Sequence, residues 1–313
     1  MFITILLKIL SIFLIVAIGI AASKFKLVPG DCLGTLNSFV LNIAVPCMVL
    51  QSMQRDEIKG YMTNDIIWSL AAFAIVTLLV LLLSSLIIKP VKAVKEADKG
   101  IYRLQLAFTN CGFMGYPLVT VILGKYALFL AIIMNIVFTT LLYSVGIFTL
   151  EHQRGEKIVI MKIIGQMLTL PFISSIAGII IFATGYHFPA FINDSLELMA
   201  ATLSPMAMFV VGVNLSRARL KDIFTLRNLV LCILSLVVVP ALTLAVDLIL
   251  PVSKAVLTTH VFLMAMPSPA VVTILCHRYR KNALLASEGV AATTFLSLGT
   301  LSLWAFLLTN VFL

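Results

Sequence analysis

The sequence reads Thr109-Asn-Cys-Gly-Phe-Met-Gly-Tyr-Pro117 in the middle of one apolar segment and Met264-Ala-Met-Pro-Ser-Pro269 in the middle of another. Proline lacks a backbone N–H and its ring clashes with the preceding helical turn, and glycine loosens a helix further. We therefore expect both segments to be helices that break near their centres. Because backbone groups freed inside a bilayer must find partners in protein or water, such breaks are tolerated where they line a cavity.

The whole chain has the composition of a membrane protein. Hydrophobic residues make up 61% of its 313 residues and charged residues 11%, whereas a soluble domain averages about 45–50% and about 25%. The apolar residues form blocks such as Ile66–Ile88 and Leu229–Leu250. Each is about 20 residues long, which is the length that a helix needs to cross a bilayer. The first block, Ile3–Ala22, is predicted to be a retained helix rather than a signal peptide, because the residues before Lys8 are apolar.

We predict an all-α membrane protein with ten transmembrane helices, called spans one to ten. They lie at about 3–23, 33–53, 65–88, 101–123, 126–149, 162–184, 190–214, 228–250, 253–276 and 284–310. Of the 22 Lys and Arg residues, 17 fall in or beside the odd-numbered loops. Positively charged loops stay in the cytoplasm, so both termini are predicted to lie outside. The net charge of +9 is thereby explained by topology, and membrane lipid rather than nucleic acid is the expected partner.

The two halves of the chain, residues 1–155 and 156–313, carry matched features. Thr120, near the end of span four, precedes Tyr126 by six residues, and Thr273, near the end of span nine, precedes Tyr279 by six residues. Because each half has five spans, the second half enters the membrane from the opposite side. This pattern predicts two inverted five-helix repeats, which are the common plan of secondary transporters. Such proteins bind their substrates near the bilayer midplane, where broken helices meet.

The breaks also indicate the charge of the ligand. A broken span exposes the N-terminus of its second half, with free N–H groups and a partial positive charge. Two such ends can hold a carboxylate, and neither interrupted stretch contains Arg or Lys. Asn110 can add an amide donor and Ser268 a hydroxyl. We therefore predict a site for a small organic anion.

These motifs resemble those of the auxin efflux carrier family, which includes plant auxin carriers and bacterial malonate- and malate-permease-like proteins. The run from Asn110 to Pro117 is similar to the span-four motif of that family, and the run from Ala265 to Tyr279 is similar to its span-nine crossover motif. Ser268 departs from the plant members, which usually carry Gln there. The long hydrophilic loop of many plant members is missing, which fits a compact protein of a prokaryotic inner membrane.

The resemblance implies a homodimer that moves small carboxylates, such as malate, malonate or auxin-like acids, by elevator-type alternating access. It implies a scaffold domain of spans one, two, six and seven and a transport domain of spans three to five and eight to ten, with spans four and nine crossing at their breaks. The predicted substrate site comprises Asn42, Pro46, Met48, Asn110, Cys111, Gly112, Tyr116, Pro117, Met266, Pro267, Ser268 and Pro269.

Other chemistries are weaker matches to the sequence. A membrane enzyme needs clustered acids, histidines or a nucleophile–base pair, and none occurs in the spans, so we predict no catalytic residue, metal site or cofactor. Glu288, Asn135 and His260 are candidates for coupling transport to H⁺ or Na⁺, whereas Glu197 and Asp247 are expected at solvated helix ends. A sodium-coupled bile-acid-type symporter and a non-transporting anion receptor on the same fold remain alternatives.

Overall fold

The computed structural model describes residues 2–29, 32–54, 62–88, 95–151, 165–216 and 224–312. All regular structure within these ranges is helical, without a strand, so the predicted all-α class is confirmed. Helices long and apolar enough to cross a membrane cover Cys32–Ser52, Thr63–Ile88, Lys125–Leu150, Ala190–Ser216, Leu226–Asp247 and Ala283–Val311. Shorter apolar helices cover Leu10–Lys24, Leu170–Thr184 and Lys254–Met264. Six helices thus qualify as spans by length and composition, and the full count of ten stays a prediction.

The helices are numbered in chain order. In the first half they are α1 (Phe2–Lys24), α2 (Cys32–Phe39), α3 (Val45–Ser52), α4 (Met62–Ile88), α5 (Lys99–Ala107), α6 (Tyr116–Ile122), α7 (Lys125–Leu141) and α8 (Ile147–Glu151). In the second half they are α9 (Leu170–Thr184), α10 (Ala190–Ala201), α11 (Leu203–Ser216), α12 (Leu226–Ile233), α13 (Val239–Asp247), α14 (Lys254–Met264), α15 (Ala270–Arg278) and α16 (Ala283–Val311). The predicted boundary between the halves and residues 162–164 of span six lie outside the described residues.

Among the described residues, Pro46, Pro117 and Pro240 each follow a widened π turn of the helix. The π turns are Val40–Ala44 before Pro46, Cys111–Gly115 before Pro117, and Leu234–Val238 before Pro240. In each case the residue just before the proline donates its N–H to the carbonyl five residues earlier. The wider turn moves aside the carbonyl that the proline ring would otherwise strike. The helix therefore continues through the proline.

Helices α1 and α11 pack against each other at close range. A β-carbon on Gly212 would come within 2.1 Å of the Val16 carbonyl oxygen, and one on Gly19 within 2.3 Å of the Phe209 carbonyl oxygen. The two backbones thus approach closely because neither position carries a side chain. Small residues at such crossings are typical of helix packing in membranes, where dispersion forces replace the hydrophobic effect.

Helices α7 and α14 form the interior of the described structure. Every residue from Ala127 to Asn135 of α7 and from Val256 to Met264 of α14 is buried, and the two helices pack against each other. A helix that is apolar on all sides is one that other helices surround. Around them, α4 packs against α5 and α7, while α16 packs against α12, α14 and α15.

The outer surface of the helices is apolar. Leu10, Leu14 and Ile18 follow one another at helical spacing on α1, and Leu82 and Leu86 do so on α4, and all five are exposed. Contiguous apolar surface of this kind is rare on soluble monomers because it drives association in water. Lipid tails cover such a surface without cost, which agrees with the membrane assignment.

Candidate functional site

The two interrupted segments meet at their breaks, and their meeting point is called the crossing below. The first consists of α5, the π turn Cys111–Gly115 and α6, and the second of α14, residues 265–269 and α15. The backbone N–H of Asn110 donates to the Pro267 carbonyl oxygen at 2.8 Å. The helices also touch at Gly115, where a β-carbon would lie 2.9 Å from Cδ2 of Leu263. The breaks that the sequence predicts therefore lie side by side.

Each break supplies a hydroxyl that caps the helix of the other segment. Pro267 has no N–H to give to the Leu263 carbonyl oxygen, and Thr109 Oγ1 donates to that oxygen at 2.8 Å. In return, Ser268 Oγ donates at 2.9 Å to the carbonyl oxygen of Gln105, which lies in the last turn of α5. The Leu263 carbonyl oxygen also accepts from the Met266 N–H at 3.1 Å, so the Thr109 hydroxyl gives this buried helix end a second donor. The exchange of caps fixes the two breaks relative to each other.

Donor groups remain available beside this crossing. Asn110 caps the second half of its segment, because its Oδ1 accepts from the Phe113 N–H at 3.3 Å. Its Nδ2 has no acceptor among the described residues, and Asn110 is only partly buried. On the other segment α15 starts after Pro269, which provides no side-chain cap, and Ala270 is exposed. An amide donor and an uncapped helix N-terminus thus lie at the crossing, and both favour an anion.

A cavity of about 240 Å³ lies next to the first break. One wall comes from Met48, Gln51 and Ser52 of α3 and from residues 197–204 of α10 and α11. The other wall comes from Pro117 and Thr120 of α6 and from the start of α7, where Lys125 and Leu128 line it. The cavity is therefore bounded on one side by the broken segment and on the other by helices that do not belong to the crossing.

Comparison with known proteins agrees with this architecture. Residues 4–305 match the family described as "Membrane transport protein". The chain belongs to this family. The resemblance to the auxin efflux carriers that the motifs predicted is thereby confirmed.

The chain also aligns with curated relatives over nearly its full length. It is 24% identical to an uncharacterized transporter of Methanocaldococcus jannaschii, across 96% of this chain and 98% of the relative. It is also 24% identical to an uncharacterized transporter of Methanothermobacter thermautotrophicus, across 96% and 97%. A Rhizobium meliloti protein named "Putative malonate transporter" is 23% identical across 94% and 92%. The protein is thus a membrane transporter.

Most of the predicted site residues of this transporter lie at the crossing or at the cavity. Met48, Cys111, Tyr116, Pro117, Met266, Pro267, Ser268 and Pro269 are buried, and Pro46, Asn110 and Gly112 are partly buried. Of these, Met48 and Pro117 line the cavity. The hydroxyl of Ser268, predicted as a ligand donor, is bonded to Gln105. Asn42 is exposed and donates to Ser38 Oγ at 3.0 Å, and it does not line the cavity.

Sequence reasoning missed several residues that shape the site. Thr109 and Gln105 exchange bonds with the other segment, and Gln51 and Lys125 line the cavity. Gln51 follows Met48 by three residues, so helical spacing alone places both on one face. Lys125 could have been noticed because it is one of the few basic residues in the loops predicted to lie outside.

The three coupling candidates have different surroundings. Glu288 forms an ion pair with Arg227 in the first turn of α12. Asn135 is buried in α7. His260 is fully buried and its Nδ1 lies 2.8 Å from Oδ2 of Asp247.

Asp247 corrects a prediction, because it is not a solvated helix end. It is 1% exposed, since the chain turns after α13 and brings α14 back beside it. Glu197, by contrast, is exposed as predicted and lines the cavity.

Proposed function

We propose that this transporter is a secondary carrier of small organic anions, with short carboxylates such as malonate and malate as its substrate class. The observation that carries the proposal is the hydrogen bond between Asn110 and Pro267, which joins two broken helices beside free donors. Crossed broken helices near the bilayer midplane are the usual substrate site of such transporters.

The electrostatics of the crossing favour an anion that is held without a salt bridge. Residues 104–118 and 255–276 contain no Lys or Arg, so the attraction comes from the Asn110 amide and from the N-terminus of α15. Partial charges of this kind bind a carboxylate less tightly than a buried guanidinium would. A carrier needs such moderate binding because it must release its substrate on the other side.

The cavity supplies a route to the crossing. In the proposed orientation, with both termini outside, α6 ends at the outer surface and the cavity opens outward. Its walls come from α3, α10 and α11 of the proposed scaffold domain and from α6 and α7 of the proposed transport domain. Elevator-type movement of α4–α8 and α12–α16 past the scaffold would close this cavity and open another on the cytoplasmic side. We propose that the carrier acts as a homodimer in the plasma membrane.

The test is uptake of radiolabelled mono- and dicarboxylates into proteoliposomes. We choose malonate first, because the Rhizobium meliloti relative carries that substrate in its name. The proposal predicts uptake of at least one acid, reduced by unlabelled analogues and absent from protein-free vesicles. Strict dependence on sodium would favour the bile-acid-type symporter. Saturable binding without uptake, by protein that elutes as a single folded species, would identify a receptor.

A further inference from the structure

A second buried polar site lies away from the crossing, between α4, α13 and α14. Asp247 ends α13 and His260 lies in α14, and both side chains are fully buried. The imidazole Nδ1 lies 2.8 Å from Asp247 Oδ2 and 3.2 Å from Oδ1. Ionisable residues buried inside membrane helices are costly, and they usually serve the movement of ions or protons.

The other ring nitrogen of His260 is Nε2. It is buried and bonds to none of the described residues. The ring lies against Phe73 of α4, with 5.4 Å between the centroids. Ser69 and Thr77 lie one turn before and one turn after Phe73, so the three share a face of α4. The hydroxyls of Ser69 and Thr77 are also buried and unpartnered among the described residues.

From this geometry we propose that His260 and Asp247 form a proton-carrying site that couples H⁺ to anion transport. The inference rests on the proposed carrier function and names its coupling ion. In the unloaded state Nδ1–H of neutral His260 donates to the Asp247 carboxylate, and Nε2 carries a lone pair. Loading transfers one proton from a hydronium ion of the acidic solution to Nε2: one O–H bond breaks, one N–H bond forms and a water molecule is released. The net charge of the pair changes from −1 to 0.

The hydroxyls on α4 provide acceptors for the hydrogen that loading adds to Nε2. A protonated Nε2 is a donor and needs an acceptor in this dry environment. Ser69 and Thr77 supply oxygen atoms on the face of α4 that His260 contacts through Phe73. Imidazole suits proton transfer because one ring nitrogen can gain or lose a proton while the other keeps its hydrogen bond.

The position of the pair couples it to the anion site. His260 precedes Pro267 by seven residues on the same segment, which is about 10 Å along a helix. A net negative charge at that distance opposes a bound carboxylate, and the added proton removes it. By Coulomb's law in the protein interior this is worth about tenfold in anion affinity. Proton and anion are therefore carried together, as a symport.

The other titratable groups around α14 lie elsewhere. The elements packed against it are α4, the π turn Cys111–Gly115, α6, α7, α13 and α16. Besides Asp247 they carry Asp65, Cys111, Tyr116, Lys125, Tyr126 and Glu288. Asp65 accepts a hydrogen bond from Tyr126 Oη, and Glu288 pairs with Arg227. Cys111 lies against Thr109 Oγ1. Among the described residues, neither Tyr116 nor Lys125 forms a hydrogen bond or ion pair with His260 or Asp247. Asp247 is the ionisable group in contact with His260.

The experiment compares two modes of malonate transport in proteoliposomes. With acid outside, a pH gradient should raise the initial rate of malonate uptake by wild type at least fivefold. The lumen should become more acidic at the same time, as reported by a pH dye enclosed in the vesicles. His260→Gln and Asp247→Asn should lose this stimulation and the protein-dependent proton flux. At saturating malonate and equal pH, both should keep at least half of the wild-type exchange of labelled for unlabelled malonate. Protons carried by malonate itself contribute equally to the acidification in wild type and variants. The difference in acidification between them therefore measures the protons carried by the His260–Asp247 pair.

Matched substitutions keep the test decisive. His277→Gln removes an exposed histidine of α15 and should behave as wild type, and Asp247→Glu should retain coupling. If one variant is not recovered folded, the substitution of its partner decides, because His260→Gln removes the nitrogen that takes the proton and Asp247→Asn removes the carboxylate that stabilises it there. Retained gradient stimulation in His260→Gln, or wild-type malonate uptake that ignores the pH gradient, would overturn the inference and leave the carrier function standing. Wild type that exchanges no carboxylate at all would instead refute the proposed function.

Discussion

The backbone N–H of Asn110 donates to the carbonyl oxygen of Pro267 at 2.8 Å, and this bond joins the two breaks of the structure. Asn110 and Pro267 are 157 positions apart in the sequence and lie in opposite halves of the chain. Each break frees backbone groups that a helix would normally satisfy. The structure satisfies them across the crossing, so a binding site and its supporting hydrogen bonds arise from the same pair of irregular segments.

The reciprocal caps should stabilise the crossing. Thr109→Val keeps the shape of the side chain but leaves the Leu263 carbonyl oxygen without its hydroxyl donor. We expect the free energy of unfolding to fall by about 1–3 kcal/mol, since a buried acceptor loses a partner. Thermal unfolding in detergent measures the change. Thr184→Val is the control, because the Thr184 hydroxyl is exposed and bonds within its own helix; equal stability of the two variants would contradict a structural role for the cap.

The close crossing of α1 and α11 should tolerate no side chain at Gly212. A β-carbon there would lie 2.1 Å from the Val16 carbonyl oxygen, which is backbone and cannot rotate away. Gly212→Ala should therefore lower the free energy of unfolding by about 3 kcal/mol as the helices separate. The control is Gly299→Ala on α16, where a β-carbon meets nothing within 4 Å. That variant should gain about 0.5–1 kcal/mol from helix propensity, and a loss comparable to that of Gly212→Ala would refute the packing argument.

Lys125 should attract anions to the cavity. It lines the cavity and is exposed, so its charge acts on the approaching substrate through solvent. Lys125→Gln should raise KM for malonate about three- to tenfold at low ionic strength. The effect should fade near 1 M salt, where the Debye length is about 3 Å. Lys254→Gln makes the same charge change at the start of α14, and a similar rise in KM there would show that net charge alone is responsible.

Glu288 should be structural rather than a coupling group. Its carboxylate pairs with Arg227, and Glu288→Gln would leave that half-buried cation without its partner. We expect a loss of about 1–2 kcal/mol in unfolding free energy, lower than for a fully buried pair because Arg227 is partly solvated. Malonate uptake driven by a pH gradient should remain. If Glu288→Gln instead lost proton coupling and kept its stability, Glu288 would be a coupling group.

Much of the fold could be predicted from the sequence because a bilayer allows few solutions. Apolar blocks of about 20 residues indicated the helices. Pro117 with two nearby glycines indicated one break, and Pro267 with a second proline indicated the other. The register of the π turns was not predicted. It depends on where the ring of Pro46 or Pro240 meets the backbone within an otherwise regular helix.

The contacts within the candidate site were harder to predict, because they depend on side-chain direction in three dimensions. Ser268 was recognised as polar and close to a break, but its hydroxyl points to Gln105. Asp247 was assigned to a solvated helix end, because no pattern in one sequence shows that α14 returns to cover it. His260 and Asp247 are 13 residues apart and belong to different helices, so helical spacing could not pair them.

The most direct measurement of anion binding at the crossing is equilibrium binding of radiolabelled malonate to Asn110→Asp. The new carboxylate can still cap the Phe113 N–H, so the protein should stay folded, but it replaces the free amide donor with a negative charge. Asn110→Ala serves as the neutral comparison and Asn310→Asp, at the exposed end of α16, as the matched control. We predict that malonate affinity falls at least tenfold in Asn110→Asp, falls less in Asn110→Ala and is unchanged in Asn310→Asp. Wild-type affinity in a folded Asn110→Asp variant would contradict binding at the crossing.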